Sequence, residues 1–205
     1  MSITKVNKTA MIILAAGQSK RMGTIKQNLP WKRTTLLGHA IKQGLNSIAD
    51  HVFVVLGSNK DAIINKIDPS NITTIYNPDW QAGMGTSIAS AMQYFDKNSL
   101  HFDAVLITLS DQPLIKTEHY NNLINSLLKN KKKIAATLIN NRAGVPAIFS
   151  SEYFSLLSKL HKDHGARKIL SNHRQEIMIL DIDNKIIDLD TMDTYKYIHK
   201  KYGTE

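Results

Sequence analysis

Short apolar runs alternate along this chain with longer stretches in which apolar residues recur at helical spacing. Short runs bounded by turn-forming residues are typical of buried strands. They predict strands at Met11–Ala15, His51–Leu56, Ile72–Tyr76, Ala104–Leu109, Ile134–Ile139 and Glu176–Leu180. Strands that alternate with helices form βα units, so the pattern predicts an α/β fold with a mostly parallel sheet.

The stretches between these runs are amphipathic. After the first strand, Leu37, Ala40, Ile41, Leu45 and Ile48 share one face of a predicted helix. Further helices are predicted at Ser87–Phe95, Glu118–Lys129, Glu152–Leu160 and Thr194–Tyr202. No linker-like segment interrupts the pattern, and 205 residues suit one domain. We therefore expect residues 1–205 to form a single domain.

Composition narrows the function classes. The chain has no cysteine, which excludes disulfides, cysteine-ligated zinc, iron–sulfur clusters and thiol catalysis. It has no apolar run near the ~20 residues of a membrane span, and its polar start does not resemble a signal peptide. We expect a cytoplasmic protein with no membrane partner.

The net charge of +9 indicates anionic partners. Nucleic acid and phosphorylated small molecules both fit that charge. The lysines are scattered rather than gathered along one segment, which favours small molecules over nucleic acid.

Ligands of open parallel sheets bind beyond the carboxyl ends of the strands. The first strand ends in Leu14, Ala15, Ala16 and Gly17, and Arg21, Gly23 and Lys26 follow in the same loop. Small residues let backbone N–H groups approach an anion, and the two cations add charge, so this loop is a candidate triphosphate site. It is neither a P-loop nor a dinucleotide fingerprint. A flexible basic loop is the alternative.

A second loop carries Gly83, Gly85 and Ser87 immediately before a predicted helix. Unpaired N–H groups and hydroxyls at a helix start can bind ribose or phosphate. Helix capping by Thr86 or Ser87 is the alternative interpretation.

Carboxylates follow two further segments. Asp111 stands at the carboxyl end of the fourth predicted strand, where it could coordinate a hard cation such as Mg²⁺. Asp188 and Asp190 are separated by one residue, so on a strand both side chains would face the same side of the sheet. Asp111 could instead be a turn or N-cap residue, and Asp190 or Thr191 could cap the last helix. The histidines lack zinc-ligand spacing, and no Gly-x-Ser-x-Gly motif is present.

Taken in order, these segments resemble a known family. The segment LAAGQSKRMGTIK (14–26) is similar to the phosphate loop of molybdenum cofactor cytidylyltransferase-like (MobA/MocA-type) nucleotidyltransferases. Further matching segments are WQAGMGTS (80–87), SDQP (110–113), GVPAIF (144–149), DHGARKIL (163–170) and the ending DLDTMD (188–193). The resemblance implies a Rossmann-like three-layer sandwich of the nucleotide-diphospho-sugar transferase type. The family's cytidylyltransferase branch has Ala-Ala-Gly where the guanylyltransferase branch usually has Ala-Gly-Gly, so Ala16 favours CTP.

The resemblance also implies a reaction. A phosphate oxygen of the acceptor attacks the α-phosphorus of a nucleoside triphosphate, and pyrophosphate leaves. Lys26, Arg21 and Asp111 are then the catalytic candidates, and Asp111 with Asp190 would hold Mg²⁺. The nucleotide-binding candidates are Leu14, Ala15, Ala16, Gly17, Gly23, Lys26, Gly83, Gly85 and Ser87. The acceptor-binding candidates are Gly144, Pro146, Asp163 and Arg167.

The acceptor implied by the resemblance is molybdopterin, and a molybdenum enzyme is a possible partner. Two alternatives stay open. One is a nucleotidyltransferase that acts on another phosphorylated acceptor, such as a sugar phosphate or methylerythritol phosphate. The other is a non-catalytic nucleotide-binding accessory protein for a molybdenum enzyme.

Overall fold

A computed structural model describes residues 8–129, 132–162, 165–182 and 186–204. Within these ranges the strands are β1 (Thr9–Leu14), β2 (Pro30–Trp31), β3 (Thr34–Thr35), β4 (His51–Leu56), β5 (Thr73–Tyr76), β6 (Ala104–Leu109), β7 (Ile134–Ile139), β8 (Arg142–Ser150) and β9 (Ile177–Leu180). The α-helices are α1 (Leu36–Leu45), α2 (Lys60–Ile64), α3 (Met84–Lys97), α4 (Thr117–Lys129), α5 (Phe154–Leu157), α6 (Arg167–Asn172) and α7 (Met192–Tyr202). Short 3-10 turns occur at Lys20–Met22, Lys26–Asn28, Trp80–Ala82, Ser151–Tyr153 and Arg174–Glu176.

The central sheet has seven strands in the order β5-β4-β1-β6-β8-β7-β9. Strands β1, β4, β5 and β6 pair in parallel, as do β7 and β9, whereas β8 is antiparallel to both of its neighbours. The predicted α/β fold with a mostly parallel sheet is therefore confirmed. The parallel strands bring their carboxyl ends, and the loops that follow them, to one edge of the sheet.

Helices cover both faces of this sheet. Alternate residues of β1 point to opposite sides, so Ile12 packs with α3, α5 and α6, whereas Met11 and Ile13 pack with α1, α2 and α4. The strands are buried on both faces because each face is covered, which is why they read as continuous apolar runs. This is the three-layer arrangement that the resemblance implies.

A third cluster lies beside the sheet and fixes the end of the chain. Trp31 and Leu36 pack there against Leu189 and against Tyr195 and Ile198 of α7. Leu189 is fully buried, so the segment before α7 is held against the ribbon formed by β2 and β3. This contact places Asp190 near the loop that follows β1.

Strand β8 was absent from the sequence prediction. Gly144 and Pro146 interrupt its apolar pattern, and a proline normally argues against an inner strand because it lacks an N–H donor. The structure accommodates Pro146 at a register shift, since Ala136 of β7 pairs with Ala147 while Thr137 pairs with Gly144. The missing donor therefore falls where the pairing is interrupted.

Other boundaries also differ from the prediction. The helix expected at Glu152–Leu160 is a 3-10 turn followed by the short α5, and α3 begins earlier than predicted. Leu45 is 42% exposed and lies outside the buried stripe of α1, whereas Ile48, 49% exposed, lies beyond the end of that helix. In the described part of the chain, no helix is long and apolar enough to cross a membrane. The assignment of residues 1–205 to one domain stays a prediction.

Candidate active site

The loop after β1 exposes a run of backbone donors. Its start is held by two backbone hydrogen bonds, from Ala15 N to Val55 O (2.9 Å) and from Ser58 N to Ala16 O (3.0 Å). The N–H groups of Ala16 and Gly17 donate no hydrogen bond within the described ranges. By contrast, the N–H groups of Ala15 and Gly23 are already bonded, Gly23 to Lys20 O at 3.3 Å. Only part of the predicted set therefore offers a free donor to an anion.

Gln27 holds this loop in place through hydrogen bonds to its carbonyl groups, and the sequence analysis did not identify this residue. Its side chain is buried and its Nε2 donates to Ala15 O (2.8 Å) and Gly17 O (2.9 Å). A hydrogen bond of 3.3 Å from Ser19 Oγ reaches its Oε1. Because Gln27 satisfies the carbonyls, the loop can turn its N–H groups outward. Its position next to Lys26 was the only available signal.

Lys26 lies between two carboxylates from distant parts of the chain. Its Nζ donates to Asp111 Oδ2 and lies 3.2 Å from Asp190 Oδ1. The side chains of Lys26 and Asp111 are only 14% and 13% exposed, whereas that of Asp190 is 37% exposed. Arg21 contacts the other oxygen of Asp190 at 2.9 Å from a largely exposed position. The structure thus brings all four residues together.

Backbone contacts explain this convergence. Asp111 follows β6, which pairs with β1, and the loop that carries Lys26 follows β1. Ser110 N donates to Leu14 O (3.2 Å). Leu189 N donates to Asp111 O (3.0 Å), and the Leu189 side chain is buried in the third cluster. Asp190 is therefore carried to Asp111 by its neighbour. The segment around Asp188 is not a strand, so the expectation of two carboxylates on one strand face is wrong.

Burial and charge act in opposite directions on this pair. Burial alone would lower the pKa of Lys26, but the Asp111 and Asp190 carboxylates outweigh it and raise that pKa. Burial raises the pKa of the Asp111 carboxyl, and the charges of Asp188 and Asp190 raise it further. The Lys26 ammonium acts in the opposite direction and lowers that pKa. Lys26 therefore stays protonated and serves as the counter-ion of the buried carboxylate.

The residues fit a hard divalent cation. Oδ1 of Asp111 is buried and has no hydrogen-bond partner in the described part of the chain. Buried polar atoms normally have partners, so this oxygen is a candidate ligand atom. Among the described residues no group of three or more His, Asp or Glu side chains could hold a metal. A cation held by Asp111 and Asp190 would take its other ligands from water and phosphate, as Mg²⁺ commonly does.

The second predicted loop leads directly into α3. Gly83 stands at the N-cap with φ 113°, a backbone conformation that favours glycine, and Gly85 lies so close to the His161 backbone that a Cβ would sit 2.9 Å from it. Thr86 and Ser87 lie inside the first turn, so neither is the N-cap residue and the capping alternative is wrong. Ser87 is buried and accepts a hydrogen bond from Asn77.

A cavity of about 560 Å³ opens beside these groups. Leu14, Gly144 and Arg167 from the predicted sets line it, together with Gln112 and Asp188. Pro146 does not line it, and its carbonyl oxygen instead accepts a hydrogen bond from Thr137 Oγ1 (2.6 Å). Asp163 lies outside the described residues.

Gln112 and Asp188 form one wall of this cavity, and Gln112 was not predicted. The Nε2 atom of Gln112 donates to Asp188 Oδ1 (2.9 Å) and to Val145 O (3.3 Å). Gln112 is 4% exposed, and its Oε1 has no partner among the described residues. It connects the end of β6 with β8 and the segment before α7. Its place after Asp111 in the SDQP segment was the only sequence signal.

A second groove, also of about 560 Å³, shares a wall with the first cavity. Arg142, Ala143, Arg167 and Leu170 border both, and Arg174 borders the second alone. None of the three arginines forms an ion pair with a carboxylate in the ranges that the structure describes. This side of the site is therefore cationic.

A layered α/β fold with a cationic, donor-rich loop and facing carboxylates is the arrangement that the sequence resemblance to nucleotidyltransferases implies. A family model of the MobA-like NTP transferase domain matches residues 11–177. The chain therefore belongs to the MobA-like NTP transferase domain family, which confirms the resemblance noted from the sequence.

Individual relatives cover nearly the whole chain. The purine catabolism protein PucB of Bacillus subtilis (strain 168) is 27% identical over 200 residues, 92% of this chain and 95% of that protein. The molybdenum cofactor cytidylyltransferase of Escherichia coli (strain K12) is 28% identical over 199 residues, 93% and 95%. The crystal structure of an Rv0371c homologue from Mycobacterium sp. strain JC1 has a TM-score of 0.82 and 28% identity, covering 95% of this chain and 96% of that chain.

Proposed function

We propose that this nucleotidyltransferase transfers CMP from CTP to the phosphate of a molybdopterin-type acceptor in a Mg²⁺-dependent reaction. An acceptor phosphate oxygen forms a bond to the α-phosphorus, the bond between that phosphorus and the bridging oxygen breaks, and pyrophosphate leaves with the electron pair. No protein nucleophile is needed. Positioning and neutralisation of charge carry most of the catalysis in such transfers.

The observation that carries the proposal is the convergence of Lys26, Asp111 and Asp190. Lys26 and Arg21 would bind the triphosphate, with the free N–H groups of Ala16 and Gly17 beside them. Asp111 and Asp190 would hold Mg²⁺, which when bound supplies positive charge to the departing pyrophosphate. The orphaned oxygen of Asp111 supports this role, because it is the buried lone pair that a cation would satisfy.

Separate observations support the choice of base and of acceptor. Ala16 and the full-length likeness to a molybdenum cofactor cytidylyltransferase favour CTP. Arg142 and Arg167 line the cavity beside Asp188, which suits an anionic acceptor. Gly144 lines the same cavity. We assign the protein to the cytoplasm, with a molybdenum enzyme as the recipient of its product.

Pyrophosphate release from purified protein, Mg²⁺, CTP and molybdopterin tests the proposal. We expect pyrophosphate release to be faster with CTP than with ATP, GTP or UTP. We also expect it to be faster with molybdopterin than with a sugar phosphate or methylerythritol phosphate. Activity with another acceptor alone would replace the molybdopterin assignment. Nucleotide binding without any release would favour the accessory protein.

Asp111→Asn separates an enzyme from a binding protein. It keeps the size of the side chain but removes the charge, so we expect turnover to fall by about 10³-fold or more while CTP binding persists. Asp96→Asn, at an exposed position of α3, is the matched control and should leave both unchanged. Equal turnover in the two variants would refute the metal role.

A further inference from the structure

Asn77 is fully buried directly after β5, and its side chain joins the loop before α3 to the first turns of that helix. Its Nδ2 donates to Thr86 Oγ1 (2.9 Å) and Ser87 Oγ (3.0 Å). Its Oδ1 accepts from Asp79 N (2.9 Å) and from Ser90 Oγ (3.2 Å). Every polar atom of this buried amide is therefore paired.

The backbone determines which way the amide points. The Asp79 N–H can only donate, so the Asn77 atom that faces it must be the carbonyl oxygen. The NH₂ group then necessarily faces the two hydroxyls. The hydrogen-bond partners distinguish the two amide atoms, because oxygen and nitrogen have nearly the same shape.

The orientation of Asn77 determines the role of each hydroxyl. Both hydroxyl oxygens accept from Nδ2, so both protons must point elsewhere. The Thr86 proton is directed to Asp79 O (2.9 Å) or Gly83 O (2.8 Å). The Ser87 proton has no acceptor within the described ranges.

We infer that Asn77 is a positioning residue that presents the Ser87 hydroxyl as a hydrogen-bond donor to the bound nucleotide. The nucleotide atom that meets Ser87 is then an acceptor, an oxygen or an unprotonated ring nitrogen, and never an N–H group. The inference rests on the proposed function, since it takes Ser87 as a nucleotide contact. It adds a residue that touches no ligand itself.

Asn77→Asp reverses the polarity with almost no change in shape. The introduced carboxylate can still accept from Asp79 N and Ser90 Oγ, but it offers the hydroxyls an acceptor in place of a donor. The Ser87 proton would turn toward position 77 and away from the ligand. We expect the Kd for CTP with Mg²⁺, measured without acceptor, to rise about tenfold, as for a lost hydrogen bond.

Ser87→Ala, the double variant and Ser90→Ala complete the experiment. Ser87→Ala should cause the same rise, and Asn77→Asp should add nothing further in the Ser87→Ala background. Ser90→Ala alters a neighbour of Asn77 without touching Ser87, so its Kd should match wild type. Additive losses in the double variant would overturn the inference, because Asn77 would then act through the loop as a whole.

A pH profile gives a readout that a merely structural role would not move. A protonated carboxyl at position 77 can donate again, so the Kd ratio of Asn77→Asp to wild type should return toward one between pH 8 and pH 5.5. A constant ratio would count against the inference. If wild type binds no CTP, the proposed function and this inference fail together. If wild type binds and Ser87→Ala loses nothing, only the inference fails.

Discussion

Lys26 holds the position between two carboxylates that a cation would share. Its Nζ contacts Asp111 and Asp190 at once, and the three side chains come from three separate segments. A lysine between two acids neutralises them while no other cation is bound. The same geometry implies that Lys26 and a divalent ion compete for these oxygens.

Lys26→Met tests this competition. Removal of the ammonium leaves Asp111 largely buried without a counter-charge, so the free energy of unfolding should fall by roughly 3 kcal/mol. The vacated oxygens should bind Mn²⁺ without nucleotide at least tenfold more tightly than wild type, as measured by electron paramagnetic resonance. Added Mn²⁺ should restore much of the lost stability.

Lys20→Met is the matched control, because Lys20 is exposed in the same loop. This variant should change neither the free energy of unfolding nor the affinity for Mn²⁺. Equal Mn²⁺ affinity in the two variants would show that Lys26 does not block the carboxylates.

The sequence predicts the types of residue in this site but not which of them contact one another. Glycines, cations and carboxylates after strands are visible in the sequence, because the chemistry of phosphate binding requires those types. Gln27 and Asn77 were missed, since a buried amide that satisfies backbone groups leaves no pattern in sequence. Their roles depend on atoms brought close by folding.

At the scale of elements, α4 is joined to the register shift between β7 and β8. His119 of α4 is buried and lies 2.8 Å from Thr137 Oγ1 through its Nε2. Thr137 Oγ1 donates to Pro146 O, so it accepts from His119, whose Nε2 therefore carries a proton. The register shift that accommodates Pro146 is thus hydrogen-bonded, through Thr137, to a buried imidazole.

This arrangement predicts a loss of stability in acid. Burial lowers the pKa of His119 to about 4 from its usual 6.5. The unfolded chain therefore binds a proton more readily, and the His119 contribution is complete above pH 6.5 and lost as pH falls toward 4. The loss should reach about 3 kcal/mol.

Denaturant unfolding between pH 4 and pH 7.5 measures this loss. His119→Gln keeps a donor for Thr137 and should flatten the pH dependence, whereas the exposed His101→Gln should not. An unchanged slope in His119→Gln would exclude His119 as its source.

At the scale of the whole molecule, the site depends on the end of the chain folding back. Leu189 is buried against Trp31 and Leu36, and its backbone N–H bonds to Asp111. The sheet therefore places one carboxylate, and a separate cluster beside the sheet places the other.

Leu189→Ala should affect both stability and metal binding. Loss of a fully buried leucine costs roughly 2–5 kcal/mol, and Asp190 should lose its fixed distance from Asp111. We expect Mn²⁺ affinity in the presence of CTP to fall several-fold in protein that is still folded. Ile198→Ala, in the same cluster but away from Asp190, should destabilise comparably without changing that affinity. Equal metal affinity in both variants would show that Leu189 does not position Asp190.

Patterns along the chain were sufficient to predict the α/β class, most strands and the residue types of the loops. Those features depend on local periodicity and on residue chemistry, which are written along the chain. Three features became visible only in the folded chain: β8 lies in the sheet, Leu189 brings Asp190 to Asp111, and Asn77 faces Ser87. These arrangements arise from strand order and buried packing, which join residues far apart in the chain and therefore leave no local pattern.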